Sequence, residues 1–487
     1  MATVKSFSGA VRLKDVSDFI APSQACVVSL EPKKDGGEGE GELVRLQSRA
    51  GSSAARGPST SQPASEASPV KVTLNDCLAC SGCVTSAETV LLEQQSTEEF
   101  LRVLDTKAET KRVVVVTLSS QSRTSLAAHY GLSPLETTSR LCGFLKSLGV
   151  DLVLEDNLGR DLALLATLEE FWDKYENGAA DTLPLLTSEC PGWVLYAEKT
   201  HGKLVLPHMS KARSAVATLG SLCKGALPAN LGVDPGRIYH CFISPCFDKK
   251  LEASREDLKS GEFADLDCVL ATTEFHKLLE AKSFDSQGGP TAPFDDIFQG
   301  SGTQRTQYSS RGSSGGYLEF VFRECILRLK GRDLFPRDQP LPLKVVRNQD
   351  FQEISLLADD GKILLSFALA YGFRNIQNII RRIKQKKMTY HFVEVMACPS
   401  GCLNGGGQMK DEGARVIDRK EIVAQLEQLY HHGEVVLRDP RGNPNLGQVE
   451  AWLGGFTSQK ATEVLHTTFH DRTQKTETAS TAMMIDF

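Results

Sequence analysis

The sequence predicts an α/β fold of mostly parallel sheets, preceded by a small cysteine-rich loop. Two patterns carry that reading. From about Lys111 onward, short apolar runs alternate with helical patterns, as strands joined by covering helices do. Three of those runs lead to a cysteine beside a proline, and sites in open α/β sheets form outside the carboxyl ends of strands.

Composition sets the bounds. A chain of 487 residues, 41% hydrophobic and 24% charged, suits a soluble globular protein, with room for about three domains. A net charge of −6 argues against general nucleic-acid binding, which needs a basic surface. Met1 to Ile20 lacks the continuous apolar core of a secretory signal. No apolar run approaches the roughly 20 residues of a membrane helix. The expected compartment is therefore cytosol or nucleus, with neither membrane nor nucleic acid as partner. Thiols stay reduced there, so thirteen cysteines point to metal binding rather than disulfides.

Residues 1–32 carry a single cysteine, Cys26. Residues 33–70 are Gly-, Ser-, Ala- and Pro-rich and read as a flexible linker, because they offer little apolar surface to repay ordering. Loop-closure cost grows only logarithmically with length, so Cys26 can reach past the linker. Residues 71–110 hold Cys77, Cys80 and Cys83. This C-x2-C-x2-C spacing is that of a ferredoxin-like cluster loop, and aims three sulfurs at one cubane. A zinc site would show paired C-x2-C units instead. Cys26 and Cys142 are the candidates for a fourth ligand. Cys26 is preferred, since Cys142 lies on the apolar face of a helical pattern.

Strands are expected at Arg112 to Thr117, Val150 to Leu154, Leu183 to Leu186, Ile238 to Ser244 and Asp267 to Ala271. Further strands are expected at Leu343 to Val346, Ile363 to Phe367 and His391 to Met396. The clearest helix runs from Phe373 to Lys387, with Phe373, Ile376, Ile379, Ile380 and Ile383 on one face and basic residues opposite. A second low-complexity stretch, 283–316, reads as a flexible loop between halves at 111–282 and 317–470, and 471–487 forms a tail.

Cys190, Cys246 and Cys398 each follow an apolar run, and Cys402 stands four residues beyond Cys398. Together they are candidate ligands of a second cluster. Each taken singly is as well explained by burial of a free thiol; the shared context carries the reading. Glycines 405 to 407 allow close backbone approach. Lys249, a short turn past Cys246, is a candidate to offset the cluster's negative charge; otherwise it is an exposed basic residue. Cys142, Cys223, Cys241, Cys268 and Cys325 are read as structural. Ten histidines show no metal spacing, and no phosphate-binding loop is present, so no nucleotide is expected.

Thr187 to Trp193, Ser244 to Lys249, Ser314 to Glu319 and Glu394 to Gln408 resemble the signature segments of iron-only hydrogenases, over about residues 110 to 470. The resemblance implies a two-lobed hydrogenase-like fold. It keeps the four cubane cysteines and departs at two places: Glu189 stands where those enzymes have a proton-relaying cysteine, and Ser244 where they have a methionine. The diiron half of that active site is therefore unsupported, although a carboxylate can relay protons in principle.

A closer likeness is to the eukaryotic hydrogenase-like family that includes the nuclear prelamin A recognition factor and a cytosolic iron–sulfur assembly factor. It rests on the N-terminal cysteine loop and on Tyr196 to Gly202, Asp248 to Arg255, Ala370 to Asn378 and Leu465 to His470. This likeness implies two [4Fe–4S] clusters, on Cys26, Cys77, Cys80 and Cys83 and on Cys190, Cys246, Cys398 and Cys402. It implies a non-enzymatic carrier in the cytoplasm or nucleus. Such a carrier takes clusters from a P-loop NTPase scaffold to a targeting complex containing a WD40 propeller protein and its adaptors. The final Ile485, Asp486 and Phe487 resemble a terminal tripeptide that docks on that complex, with a ring for a pocket and a carboxylate for a basic group. The plain alternative is a frayed end. Two other functions stand beside this one: a hydrogen-metabolising oxidoreductase, and a nuclear prelamin-binding protein with structural clusters. The tripeptide and the lack of a prenylation box favour the carrier.

Overall fold

The computed structural model describes residues 94–178, 182–298, 307–308, 310–337, 339–409, 419–432 and 436–473. Cys26, Cys77, Cys80, Cys83, Ile485, Asp486 and Phe487 lie outside the described residues, as does the linker at 33–70.

In chain order the strands are β1 Val113–Leu118, β2 Leu152–Glu155, β3 Leu185–Thr187, β4 Ile238–Ser244, β5 Lys259–Ser260, β6 Phe263–Ala264 and β7 Cys268–Ala271. They continue as β8 Gln307–Tyr308, β9 Lys344–Asn348, β10 Phe351–Leu357, β11 Ile363–Tyr371, β12 Phe392–Met396 and β13 Val436–Leu437. Two main sheets result. The first, in order β2-β1-β4-β7, is wholly parallel. The second, in order β3-β12-β11-β10-β9, is parallel as far as β11 and antiparallel beyond it.

The central strands read as continuous apolar runs because helices cover both faces of the sheet. Strand β4 is buried at every position. On one face of the first sheet, Val114, Val116 and Leu118 pack with Leu141 and Phe275; Val115 faces the opposite core with Leu162 and Leu222. The second sheet has its own cores, one around Phe367 and Phe392 and one around Val393 and Ile379. Among the described residues no helix is long and apolar enough to cross a membrane.

Three features differ from the expected layout. Strand β10 has no counterpart among the expected strands. It carries Gln352, Glu353 and Ser355 on an outer strand pair, so its apolar signal is diluted. Strand β3 falls in the first half of the sequence but joins the second sheet, pairing Leu185 with Phe392 and Thr187 with Glu394. The stretch 283–316, expected to be a flexible loop, contributes buried residues wherever it is described. Phe284, Ala292 and Phe294 pack on the first sheet's core, and Tyr308 stacks on Tyr430. Ser310, Ser313 and Ser314 are buried. Its apolar residues insert one at a time, so no periodicity reveals them.

The helix expected at Phe373 to Lys387 forms over Phe373–Lys384 with its isoleucines buried. It stops where Lys386 takes a left-handed conformation, φ 54°. Near the N-terminal edge of the described chain, Ser96 caps the helix Thr97–Asp105 through Glu99 N. Phe100 and Val103 of that helix join the first core.

The helices Asn157–Glu176 and Ala215–Leu231 cross closely at Gly159. A Cβ there would lie 2.0 Å from the Ala215 carbonyl oxygen. Exchanging Gly for Ala inside a helix normally gains about 1 kcal/mol. Overpacking against a fixed backbone costs about 1–3 kcal/mol and here outweighs that gain. Gly159→Ala is therefore expected to lower the thermal midpoint by a few degrees; an unchanged or raised midpoint would refute this account of the crossing.

Candidate metal centre

Three strand ends deliver the cysteines. Cys190 follows β3 and opens the helix Pro191–Thr200. Cys246 follows β4, just before the helix Asp248–Ala253. Cys398 and Cys402 follow β12. Strands β3 and β12 are neighbours in the second sheet, whereas β4 belongs to the first. The site is thus the place where the two sheets aim their carboxyl ends at one cavity, and all four cysteines line it. Cys190 is buried and the other three are partly so.

A serine hydroxyl fixes the backbone of three of these cysteines. Ser188 Oγ accepts from Cys190 N (3.0 Å) and donates to Val395 O (2.5 Å), which ties the β3 loop to β12. Ser244 Oγ accepts from Cys246 N (3.2 Å) and donates to Cys246 O (2.9 Å). Ser314 Oγ accepts from Cys402 N (2.8 Å). The Gly-rich run then lies against the Cys246 loop. Gly407 N donates to Pro245 O (3.0 Å), and a Cβ on Gly405 would lie 2.3 Å from the same oxygen. The glycines thus allow two cysteine loops from different sheets to touch through their backbones.

The donor set suits an iron–sulfur cluster. Burial pushes the Cys190 thiol up to about 11, while the N–H groups of Ala397, Trp193 and Gly192 favour its thiolate. Burial and then Cys190 push Cys402 up to about 12. Cys246 is raised by burial, by Asp248 and by each of the other three sulfurs. Four thiols that line one cavity would give up their protons to a soft metal bound there. Among the described residues, no group of three or more His, Cys, Asp or Glu is gathered tightly enough for a single metal ion. One ion would draw all four sulfurs to about 2.3 Å from a single point. A cubane instead takes each cysteine on its own iron, which fits sulfurs set round a cavity.

Lys249 is buried, not exposed. Its Nζ pairs with Glu252 (2.5 Å) and lies 3.6 Å from Glu189. Burial works against its charge, but these two carboxylates outweigh burial and hold its pKa above the usual lysine value. Its charge is therefore already matched by protein carboxylates beside the cavity.

Glu189 is an anchor. Its Oε1 accepts from Ala215 N (3.0 Å), the first residue of the helix Ala215–Leu231, and from the Tyr317 hydroxyl. An anion at a helix N-terminus is stabilised by the exposed N–H groups and the helix dipole. Glu394 does the same in the second lobe. It accepts from Leu318 N and from the Tyr371 hydroxyl, both at 2.7 Å, and burial pushes it up to about 7.

The structure brings together Cys190, Cys246, Cys398, Cys402 and Lys249, the predicted site residues that fall within its described part. Sequence reasoning placed Ser188, Ser314 and Tyr317 inside the hydrogenase-like segments without giving them a role, and passed over Arg160, which also lines the cavity. A signal existed for one of them: Ser188 and Ser244 each stand two residues before a cysteine. Cys142, Cys223, Cys241, Cys268 and Cys325 are buried in the hydrophobic cores.

Removing the Glu189 carboxylate strands a helix N–H, a buried phenol and part of the Lys249 charge. Glu189→Ala is expected to cost about 3 kcal/mol, the scale for breaking a buried ion pair. Glu189→Gln, which keeps an acceptor, is expected to cost less. Denaturant titration of both variants tests this, and wild-type stability in Glu189→Ala would remove the anchoring role.

Residues 112–406 match the family described as the iron only hydrogenase large subunit, C-terminal domain. A variant of the [FeFe]-hydrogenase HydA1 from Chlamydomonas reinhardtii superposes with a TM-score of 0.68 at 25% identity, covering 77% of this chain and 98% of that one. Over nearly the whole length, the chain is 42% identical to cytosolic iron-sulfur assembly component 3 of Mus musculus, covering 95% of this chain and 96% of the relative. It is 41% identical to Protein NAR1 of Arabidopsis thaliana, with 96% and 97% covered. It is 42% identical to the cytosolic Fe-S cluster assembly factor narfl of Xenopus tropicalis, again with 96% and 97% covered. With a hydrogenase-like domain across most of its length and such relatives from end to end, the chain belongs to the cytosolic iron–sulfur assembly component 3 (NAR1/narfl) family.

Proposed function

We propose that this chain is a non-enzymatic component of the cytosolic iron–sulfur protein assembly machinery. It binds two [4Fe–4S] clusters and passes clusters from a P-loop NTPase scaffold to a targeting complex, which contains a WD40 propeller protein and its adaptors. Its clients are cytosolic and nuclear iron–sulfur proteins, and it works in the cytoplasm, with the nucleus as a second compartment. The relatives' names support the assembly role. The observation that carries the cluster chemistry is the convergence of four cysteines, from strands of two different sheets, on one cavity.

In this reading Cys190, Cys246, Cys398 and Cys402 hold a resident cluster, which supplies electron-storing iron and a covalent tie between the two lobes. The chain's own residues hold that site in shape. Serines fix the cysteine backbones, N–H groups face the Cys190 sulfur, and Lys249 lies within reach of the cluster's charge. Cys26, Cys77, Cys80 and Cys83 hold the second cluster, which is the cargo. A short loop and one distant cysteine grip less firmly than three strand ends do, so this cluster exchanges more readily. The described chain begins just beyond that loop and is anchored at once. Gln95 Nε2 donates to Lys250 O (2.9 Å), and Lys250 Nζ donates to Gln95 O (2.5 Å). The described chain therefore begins beside the helix that bears Lys249.

The alternative of hydrogen chemistry loses support at the two positions where the resemblance departs. Glu189 is committed to a helix N-terminus, a phenol and a lysine, and the Ser244 hydroxyl is committed to the Cys246 backbone. These commitments favour a bracing role for both side chains.

Protein purified without oxygen is expected to contain about eight irons and eight sulfides, as two cubanes require. Its infrared spectrum is expected to lack carbonyl and cyanide stretches. Cys398→Ala and Cys80→Ala should each remove about half of the iron, and exposure to a chelator should empty the N-terminal site first. Carbonyl or cyanide bands would restore the oxidoreductase reading, and loss of the Cys190 cluster first would reverse the assignment of resident and cargo.

Partner docking is tested separately at the C-terminus. Removal of Phe487 is expected to weaken binding to the targeting complex, measured by calorimetry or pull-down with purified components. Unchanged affinity would reject the tail as the docking element.

A further inference from the structure

The helix Phe373–Lys384 has an exposed face that no role described above employs. Ile376, Ile379, Ile380 and Ile383 face the second sheet. Arg374, Arg381 and Lys384 lie on the outer face, and the chain leaves the helix through Lys386 and Lys387; all five are exposed. The helix contains no Asp or Glu. Helix cations elsewhere in the molecule find carboxylates: Arg102 pairs with Glu99, Lys174 with Glu170, Arg323 with Glu319 and Arg328 with Glu169. Among the described residues no carboxylate pairs with any of these five. The helix dipole accounts for Arg381 and Lys384 in the last turn, but Arg374 sits in the first turn, where a cation is disfavoured. Three like charges thus stand on the exposed side of the helix and two more follow its end, in a chain whose net charge is −6.

The missing counter-charge is present in the same chain. Asp35 to Glu42 reads Asp-Gly-Gly-Glu-Gly-Glu-Gly-Glu, four acids with no base, spaced by glycines that let the backbone adapt. This segment lies between Cys26 and Cys77 and outside the described residues. The chain from Glu42 to Gln95 would span about 40 Å as a coil, enough to cross a domain of this size. Tethering gives such a segment an effective concentration on the order of millimolar, which no free partner normally reaches.

We propose that Asp35–Glu42 docks on the basic face formed by Arg374, Arg381, Lys384, Lys386 and Lys387. The other end of this helix is tied to the cluster loop: Gly372 N donates to Met396 O (2.8 Å), and a Cβ on Gly372 would touch Pro399 at 3.6 Å. The basic face thus belongs to a helix whose other end adjoins the Cys398 loop. The proposal rests on charge and tethering and is independent of what the cysteines carry. Because the charges are exposed, salt should loosen the contact.

The test uses the full-length chain and a carbodiimide, which joins carboxylates to amines at zero length, followed by mass spectrometry. The expected result is preferential linkage of Asp35, Glu38, Glu40 or Glu42 to Lys384, Lys386 or Lys387 within one chain. Mixing isotope-labelled and unlabelled protein identifies links within a chain. Linkage should fall several-fold at high salt. It should also fall several-fold in the double variant Arg374→Gln, Arg381→Gln, in which neither the native nor the substituted side chains take part in the coupling. A thermal melt confirms that this variant is folded. Links spread over surface lysines without preference, links between chains, or links indifferent to the arginine changes would overturn the proposal. A final arm measures binding to phosphatidylserine vesicles and to duplex DNA. If the helix face binds either one equally well in the wild type and in the variant D35N/E38Q/E40Q/E42Q, the face is free for an outside polyanion and the clasp is rejected.

Discussion

A carboxylate buried between two sheets holds the centre of this molecule. Glu189 leaves β3 in the second sheet, yet its oxygens take the first N–H of the helix Ala215–Leu231 and the phenol of Tyr317. Lys249, from the helix Asp248–Ala253 that follows β4 of the first sheet, stands beside it. A buried charge is costly unless every lone pair is matched, and here a helix terminus, a hydroxyl and an ammonium match it. Glu394 repeats the device at the helix Tyr317–Lys330, where it takes Leu318 N and the Tyr371 hydroxyl. Two helix N-termini are thus fixed by carboxylates from the loop after β3 and from β12, each adjoining a cysteine loop. The positions of Cys190, Cys398 and Cys402 relative to Cys246 depend on that bracing.

The cysteine geometry follows from this constraint together with the serines. A cluster site drawn from two sheets needs loops whose ends do not drift. Ser188 and Ser244 each bond the backbone of the cysteine two residues on, and Ser314 bonds Cys402 from a stretch distant in sequence. Gly405 and Gly407 bring the last loop onto Pro245 with no side chain between them.

The sequence revealed the features that are local. The apolar run of β4 predicted a strand with the bounds seen, and the isoleucine stripe from Ile376 to Ile383 marked a helix face. The four cysteines of the second site were legible because each sits next to a local signal, a strand end or a glycine run. The features that depend on distant pairing were hidden. Strand β3 is three residues long and finds its sheet only through Phe392 to Glu394. The roles of Tyr317 and Ala215 at Glu189 have no local signature, since those residues stand far from it in sequence. The stretch 283–316 looked featureless because its buried residues, Ile297 and Tyr308 among them, are isolated in a small, polar context. Glu189 was the instructive case: its identity marked it as a departure, and only its distant neighbours reveal that it braces the helix Ala215–Leu231.

A site braced in this way is also a site that is hard to empty. Releasing a cluster from Cys190, Cys246, Cys398 and Cys402 would require loops from two sheets to separate, against the Gly407 to Pro245 contact and the Glu189 bonds. In the proposed role such a site is the resident one, and exchange belongs to the N-terminal cysteines, whose chain is first secured at Gln95 against Lys250. A carrier needs one firm site to stay folded and one loose site to give away. In the proposed role the firm site is the one whose thiols stand at three strand ends.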